Sequence, residues 1–180
     1  MRTLGVVLAG GKSSRFGSDK AHATLDGREL LDHALRTLSP YCDRIAVVGR
    51  PNDLMLSVPD WPCPGLGPLG GLAGGLAYAA ESGFEQVLSI PVDCVRLPSD
   101  ILEILDPAPA CLEAVPVIGL WSTTSLTVLR RILDGGHDRS MRAFGRAIGA
   151  RSVTAPFIPP NINTPADLAA TAATFAEQPL

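Results

Sequence analysis

Lysine is nearly absent from this chain of 180 residues: Lys12 and Lys20 are the only two, against thirteen arginines. Charge of any kind is scarce. Charged residues make up 18 % of the chain, below the usual share of about 25 %, which excludes long disordered tracts and coiled coil. The net charge of -3 gives no broad basic face for nucleic acid. Cysteines stand at 42, 63, 94 and 111 with no C-x-x-C and no paired spacing. That pattern argues against a zinc site or disulfide framework and fits a reducing, cytoplasmic compartment. The histidines, His22, His33 and His137, form no metal-ligand pattern. No apolar run approaches the length of a membrane span. The opening Arg2-"TLGVVLAGG" mimics a signal peptide, but a charged loop follows where a cleavage site would stand, so it reads as a buried strand.

What the chain does have is apolar material: 46 % of it is hydrophobic, enough for one packed core in a single domain over residues 1–180. "LGVVLAG" is a continuous apolar run, as in a strand covered on both faces. "RELLDHALRTLSP" carries Leu30, Leu31, Ala34, Leu35 and Leu38 on one stripe and predicts a helix. "DRIAVVGRPND" predicts a second strand, "SVPDWPCPGLGP" a proline-rich loop, and "LGGLAGGLAYAAES" a glycine-rich helix packed closely on its neighbour. "FEQVLSIPVD" predicts a third strand and "PSDILEILDP" a short helix capped by Ser99 or Asp100. Then come a strand in "AVPVIGLW", helices near 123–134 and 138–148, and a strand in "RSVTAPF". The final helix takes Thr164 as N-cap, Pro165 in its first turn and Asp167 near its positive end. Strands alternating with helices predict a three-layer α/β/α, Rossmann-like domain with a mainly parallel sheet. Ligands bind such sheets off the carboxyl ends of the strands.

Two motifs are decoys. Gly11-Lys12-Ser13 suggests a P-loop, yet the first glycine of that motif would fall on Val6. "GLGPLG" at 65–70 spells a dinucleotide fingerprint but follows "DWPCP", not a strand. What remains is a strand running into "LAGGKSSRFGSDK". Gly10 and Gly11 let the backbone approach a ligand, and successive amides there can cradle an anion. Arg15 and Lys20 add cations that can follow redistributed phosphate charge. Asp93, exposed at a strand end, is the natural ligand for a hard cation such as Mg²⁺; the other reading is a cap on the helix that follows.

These segments, together with the Asp60 loop running into "PGLGPLGGLAGGL", "PVD" at 91–93 and "NINTPADL" at 161–168, resemble the molybdenum cofactor guanylyltransferase (MobA) family. The resemblance runs from about residue 4 to 172. It implies a MobA-like nucleotidyltransferase fold and transfer of GMP from GTP to molybdopterin or molybdenum cofactor, with pyrophosphate leaving and Mg²⁺ as cofactor. By that resemblance Leu8, Ala9, Gly10 and Gly11 hold the guanine nucleotide, and Lys20 and Arg15 contact phosphate. Asp60 helps hold the nucleoside, since a carboxylate can accept two N–H bonds from a guanine edge. Asp93 matches the Mg²⁺ ligand. Asn161 and Asn163 match a pair near the metal and second substrate, although Asn also favours turns. Arg139 matches an arginine on the cofactor side; a surface helix arginine is the other reading. Implied partners are GTP, molybdopterin, and proteins that handle molybdopterin or accept the product, with no nucleic acid and no membrane.

Three positions depart from the pattern. Gly49 stands where an asparagine is usual, "DCVRLP" replaces the usual Asp-x-Pro, and the segment 107–121 is shorter than the family's strand-turn-strand. Two alternatives stay open: a CTP-dependent enzyme acting on molybdopterin or a sugar or polyol phosphate, and a catalytically silent relative that binds nucleotide or cofactor. Ala9-Gly10-Gly11, where CTP-using relatives usually carry Ala-Ala-Gly, favours guanine.

Overall fold

The structure is a computed model that describes residues 1–10, 20–135, 138–160 and 162–177. In chain order it holds β1 (Thr3–Leu8), a hairpin of β2 (Thr24–Leu25) and β3 (Arg28–Glu29), α1 (Leu30–Leu38), β4 (Arg44–Val48), β5 (Leu56–Val58) and α2 (Gly67–Glu81). There follow β6 (Gln86–Pro91), α3 (Ile101–Leu105), β7 (Ala110–Leu112), β8 (Gly119–Ser122), α4 (Leu126–Gly135), α5 (Met141–Ala147), β9 (Arg151–Val153) and α6 (Pro165–Glu177). Among the described residues the main sheet has the order β5-β4-β1-β6-β8-β7-β9. Every neighbouring pair is parallel except those made by β8. The mainly parallel three-layer α/β architecture expected from the sequence is therefore present.

Residues alternate across β1 because successive side chains of a strand point to opposite faces. Leu4 and Val6 pack with α2, α4 and α5, including Leu72, Leu76, Leu129 and Phe144. Val7 packs on the other side with Leu31, Ala34 and Leu38 of α1 and with Ile101 and Leu105 of α3. A third, smaller cluster joins Leu25 of the hairpin and Leu30 to Val95, Ile162 and Leu168. It fastens the segment after Lys20, the loop after β6 and the start of α6 to one another.

The glycine-rich α2 lies closer to the sheet than a helix with side chains could. A Cβ on Gly75 would come within 2.9 Å of Val6 and one on Gly71 within 2.8 Å of Leu8, while one on Gly74 would collide with the Pro59 carbonyl oxygen. Gly74→Ala is therefore expected to lower the melting temperature by several degrees. Backbone cannot retreat like a flexible side chain, and overpacking costs about 1–3 kcal/mol. Thermal unfolding followed by circular dichroism checks this.

Four elements differ from the sequence expectation. "AVPVIGLW" was expected as one strand; it is a turn followed by the antiparallel β8, and β7 precedes it. β5 lies inside what read as an irregular loop. The helix expected from Arg28 starts at Leu30, because Arg28–Glu29 pairs with Thr24–Leu25 across an Asp26-Gly27 turn. Both turn residues have positive φ, 51° and 74°, the geometry that tight hairpins require. The strand expected across "RSVTAPF" is confined to β9.

Candidate active site

The register aligns the carboxyl ends of four parallel strands. Leu8 pairs with Val48 and Pro91, and Val48 pairs with Val58. The chain continues the pairing just beyond: Ala9 N–H donates to Val48 O, Gly49 N–H to Val58 O and Val92 N–H to Leu8 O. Leu8, Ala9, Gly10, Gly49, Asp60 and Asp93 therefore emerge along one edge of the sheet. Gly11, Lys12 and Arg15, expected beside them, lie outside the described residues, as does Asn161.

At one end of this edge is a corner closed around the Asp60 carboxylate. Gly49 has φ +85°, and a Cβ there would lie 2.6 Å from Gly10 Cα and 2.8 Å from Asp60 Oδ1. A Cβ on Gly10 would meet Gly49 Cα at 3.0 Å and Asp60 Oδ2 at 3.4 Å, and one on Gly71 would meet Asp60 Oδ1 at 3.4 Å. Three glycines thus bring bare backbone against a single carboxylate. The departure of Gly49 from asparagine has a local cause: a side chain at that position would displace both Gly10 and Asp60. The corner is anchored to α2 by Trp61 N–H donating to Gly70 O at 3.0 Å. Burial pushes the Asp60 pKa up from its ordinary value, and a bond from the Gly65 backbone amide partly offsets this.

At the other end, Lys20 Nζ donates to Asp93 Oδ2 at 2.7 Å and to Asn163 Oδ1 at 3.3 Å. The two side chains of the ion pair are 13 % and 5 % exposed. Asp93, expected at the surface, is buried; the loop before α6 covers it, and Ile162 N–H donates to the same Oδ2 at 2.9 Å. Asp93 does not cap a helix: the N-cap residue of α3 is Asp100, and it makes no side-chain capping bond.

The loop carrying Asn163 is itself fixed. Asp167 Oδ2 accepts the N–H groups of Asn163 and Thr164, each at 2.9 Å, and Asp167 N–H donates to Thr164 Oγ1 at 3.1 Å. The Asn163 amide bond, followed by the Thr164 hydroxyl, holds the Asp167 carboxyl below its usual value. Thr164 and Pro165 thus begin α6 as expected, while Asp167 does more than complement the helix dipole. Sequence reasoning also missed Ile162 and the β2–β3 hairpin, whose apolar cluster draws these loops together. The Asp26-Gly27 pair was the available signal for the hairpin.

Arg139 is exposed, and its Nη2 donates to Leu133 O at 2.8 Å near the end of α4. It lies ahead of α5, which begins at Met141, so it is a surface arginine but not a helix residue. Cys94, next to Asp93, has its thiol pushed up to about 12, chiefly by burial, so it is no nucleophile at neutral pH. Among the described residues no group of three or more His, Cys, Asp or Glu side chains converges as a metal cage. The oxygen donors of Asp93 and Asn163 nevertheless suit a magnesium ion that takes its remaining ligands from phosphates and water.

The edge therefore presents a carboxylate in a glycine-walled corner and, beyond β1, a cation paired with a carboxylate and an amide oxygen. A model of the MobA-like NTP transferase domain matches residues 5–146. The molybdenum cofactor guanylyltransferase of Acidiphilium cryptum is 38 % identical over 179 residues, covering 91 % of this chain and 90 % of the relative. That of Rhodobacter capsulatus is 33 % identical and covers 94 % of each chain. Among solved structures, molybdopterin-guanine dinucleotide biosynthesis protein A from Archaeoglobus fulgidus superposes with a TM-score of 0.71 at 19 % identity, over 98 % of this chain and 100 % of that one. The 2-C-methyl-D-erythritol 4-phosphate cytidylyltransferase from Thermus thermophilus shares the fold at a TM-score of 0.66 and 16 % identity, over 95 % and 98 % of the two chains. By the domain match over most of its length, and by its identity to these relatives, this chain belongs to the MobA-like NTP transferase family.

Proposed function

We propose that this protein transfers GMP from GTP to the terminal phosphate of molybdopterin or molybdenum cofactor and releases pyrophosphate. The observation that carries the reading is the meeting of Lys20, Asp93 and Asn163 on the same sheet edge as the Asp60 corner. The family relationship supports the same reaction.

Guanine presents its ring N–H and exocyclic amino group side by side, and the Asp60 carboxylate can accept from both. Cytosine offers no such pair. The bare backbone of Gly10 and Gly49 lets the Asp60 carboxylate lie against the strand ends, at the edge where the base would be read. Lys20, with Arg15 from the loop before it, neutralises phosphate. Asp93 and Asn163 would hold Mg²⁺, which supplies further charge neutralisation and orientation of phosphate oxygens when bound. A phosphate oxygen of the second substrate forms a bond to the α-phosphorus as the bond to the bridging oxygen breaks, and that electron pair leaves with pyrophosphate. The attacking group is already an anion, so no general base is required. The work falls to positioning two polyanions and neutralising their charge. Arg139 and Asn161 remain the residues proposed toward the second substrate. The free thiols Cys42, Cys63, Cys94 and Cys111 fit a reducing cytoplasm. No helix among the described residues is long and apolar enough to cross a membrane.

The test is pyrophosphate release in Mg²⁺ with GTP or CTP, each with and without molybdopterin. Release that requires both GTP and molybdopterin supports the reading. Release with CTP points to a cytidylyltransferase, and binding without release to a silent relative.

The Asp60 carboxylate must be ionised to accept both bonds. Affinity for GTP is therefore full above its pKa and is lost as pH falls through it, at a higher pH than an ordinary aspartate would set. Asp60→Asn is expected to weaken GTP by about tenfold or more and to remove this acid limb. Equilibrium titration across pH, with CTP as control, reads both effects.

A further inference from the structure

The guanidinium of Arg130, on α4, lies over the ring of Trp61 at 4.8 Å from the ring centroid. Its Nε is buried and has no hydrogen-bond partner among the described residues. A buried donor left without a partner costs free energy, so some gain must hold the cation there. The face of the indole supplies it, because a half-buried guanidinium is drawn to the electron-rich ring. Trp61 directly follows Asp60 and is fastened on its other side by its N–H to Gly70 O. It also packs against the apolar cluster formed by α2 and α4. The Asp60 corner is thus gripped twice, by backbone from α2 and by a stacked cation from α4.

We propose that Arg130 is a positioning residue for nucleotide selection: its stack on Trp61 fixes the Asp60 carboxylate at the angle needed to accept two donors from a purine edge. This deepens the guanylyl reading and rests on it. A carboxylate free to swing still accepts one bond, so loosening the stack penalises the two-donor base most. Inosine lacks the exocyclic amino group of guanine and gives a direct gauge of that second bond.

Arg130→Met keeps the packed stem and removes the charge. It is expected to raise the KM for GTP about five- to tenfold, to leave kcat within about twofold, and to shrink the preference for GTP over ITP. Arg130→Lys recovers part of the preference, and Trp61→Phe, which keeps a ring face, stays near the unmodified protein while Trp61→Leu follows Arg130→Met. Unchanged KM and preference in Arg130→Met, or a fall in kcat alone, would overturn the proposal, as would a lysine variant no better than methionine. The guanylyl reading is judged separately, in the unmodified protein: CTP bound in place of GTP overturns that reading and this proposal with it, whereas GTP dependence kept alongside an unchanged Arg130→Met overturns the proposal alone. Binding of no nucleotide overturns both. The chain has two tryptophans. Trp121 is fully buried and bonded to Ser89, so the difference between the protein and Trp61→Phe isolates Trp61 fluorescence. An emission change on Arg130→Met without nucleotide is expected, and its absence counts against the stack.

Discussion

Asp93→Asn should reduce pyrophosphate release by about a thousandfold, a loss on the order of 4 kcal/mol in transition-state stabilisation. The substitution keeps the size of the side chain and an oxygen that can accept from Ile162 N–H. It removes the charge that faces Lys20 and the carboxylate proposed to hold Mg²⁺. The Lys20 side chain is 13 % exposed, so its ammonium can turn toward water once its partner is neutral. Stability should then fall by only about 1–2 kcal/mol, the worth of a charge-assisted bond. Lys20→Ala behaves differently. It leaves a carboxylate whose side chain is 5 % exposed without its paired ammonium, and stranding one member of a buried pair costs about 3–5 kcal/mol. The expected ordering is thus a severe loss of turnover in both variants and a clearly larger fall in melting temperature for Lys20→Ala. Thermal melts beside the turnover assay check the ordering. Equal melting temperatures would mean that Asp93 is more solvated than its burial implies.

Gly49→Ala should have the second large effect, on both stability and nucleotide binding. The φ of +85° alone costs an alanine about 1 kcal/mol. The new Cβ also meets Gly10 Cα at 2.6 Å and Asp60 Oδ1 at 2.8 Å, where one contact is backbone and neither can move freely. Adding overpacking of about 1–3 kcal/mol gives a total near 2–4 kcal/mol, or about 5–10 °C in melting temperature for a chain of this size. The relief available is for Asp60 to move away, so whatever stability survives is obtained at the expense of the base site. GTP affinity should fall about a hundredfold, with CTP affinity changing much less. Gly49→Asn tests whether the family's usual residue is tolerated here. Asparagine accepts positive φ better than alanine, yet its Cβ meets the same atoms. It should therefore regain part of the stability and none of the affinity.

Much of the site was legible because parallel sheets place function at strand ends. Apolar runs that break at Gly10, Gly49 and Asp93 reveal both the strands and the edge to which they lead. Lys20 stood out through the scarcity of lysine elsewhere. The exposure of Asp93 was misjudged because its cover, the Ile162–Asn163 loop, comes from far along the chain and is fixed there by Asp167 and the small apolar cluster. β5, β7 and both hairpin strands have two or three residues each, too few for hydrophobic alternation to announce them. The strand expected over "AVPVIGLW" took in the turn before β8 because that turn, "AVPV", is itself largely apolar, and β7 ahead of it went unseen. Arg130 gave no signal at all. In sequence it is one of two adjacent arginines on an amphipathic helix, and its meaning comes from a tryptophan on another element.

The phosphate end and the base end must belong to one pocket, and metal binding tests that most directly. Mn²⁺ in place of Mg²⁺, followed by electron paramagnetic resonance, should show one tightly held ion per chain that appears only with GTP. That ion should be lost in Asp93→Asn and require more GTP in Asp60→Asn. Mn²⁺ held with unchanged affinity in Asp93→Asn, or held without regard to GTP, would contradict a shared site for metal and nucleotide at this edge of the sheet.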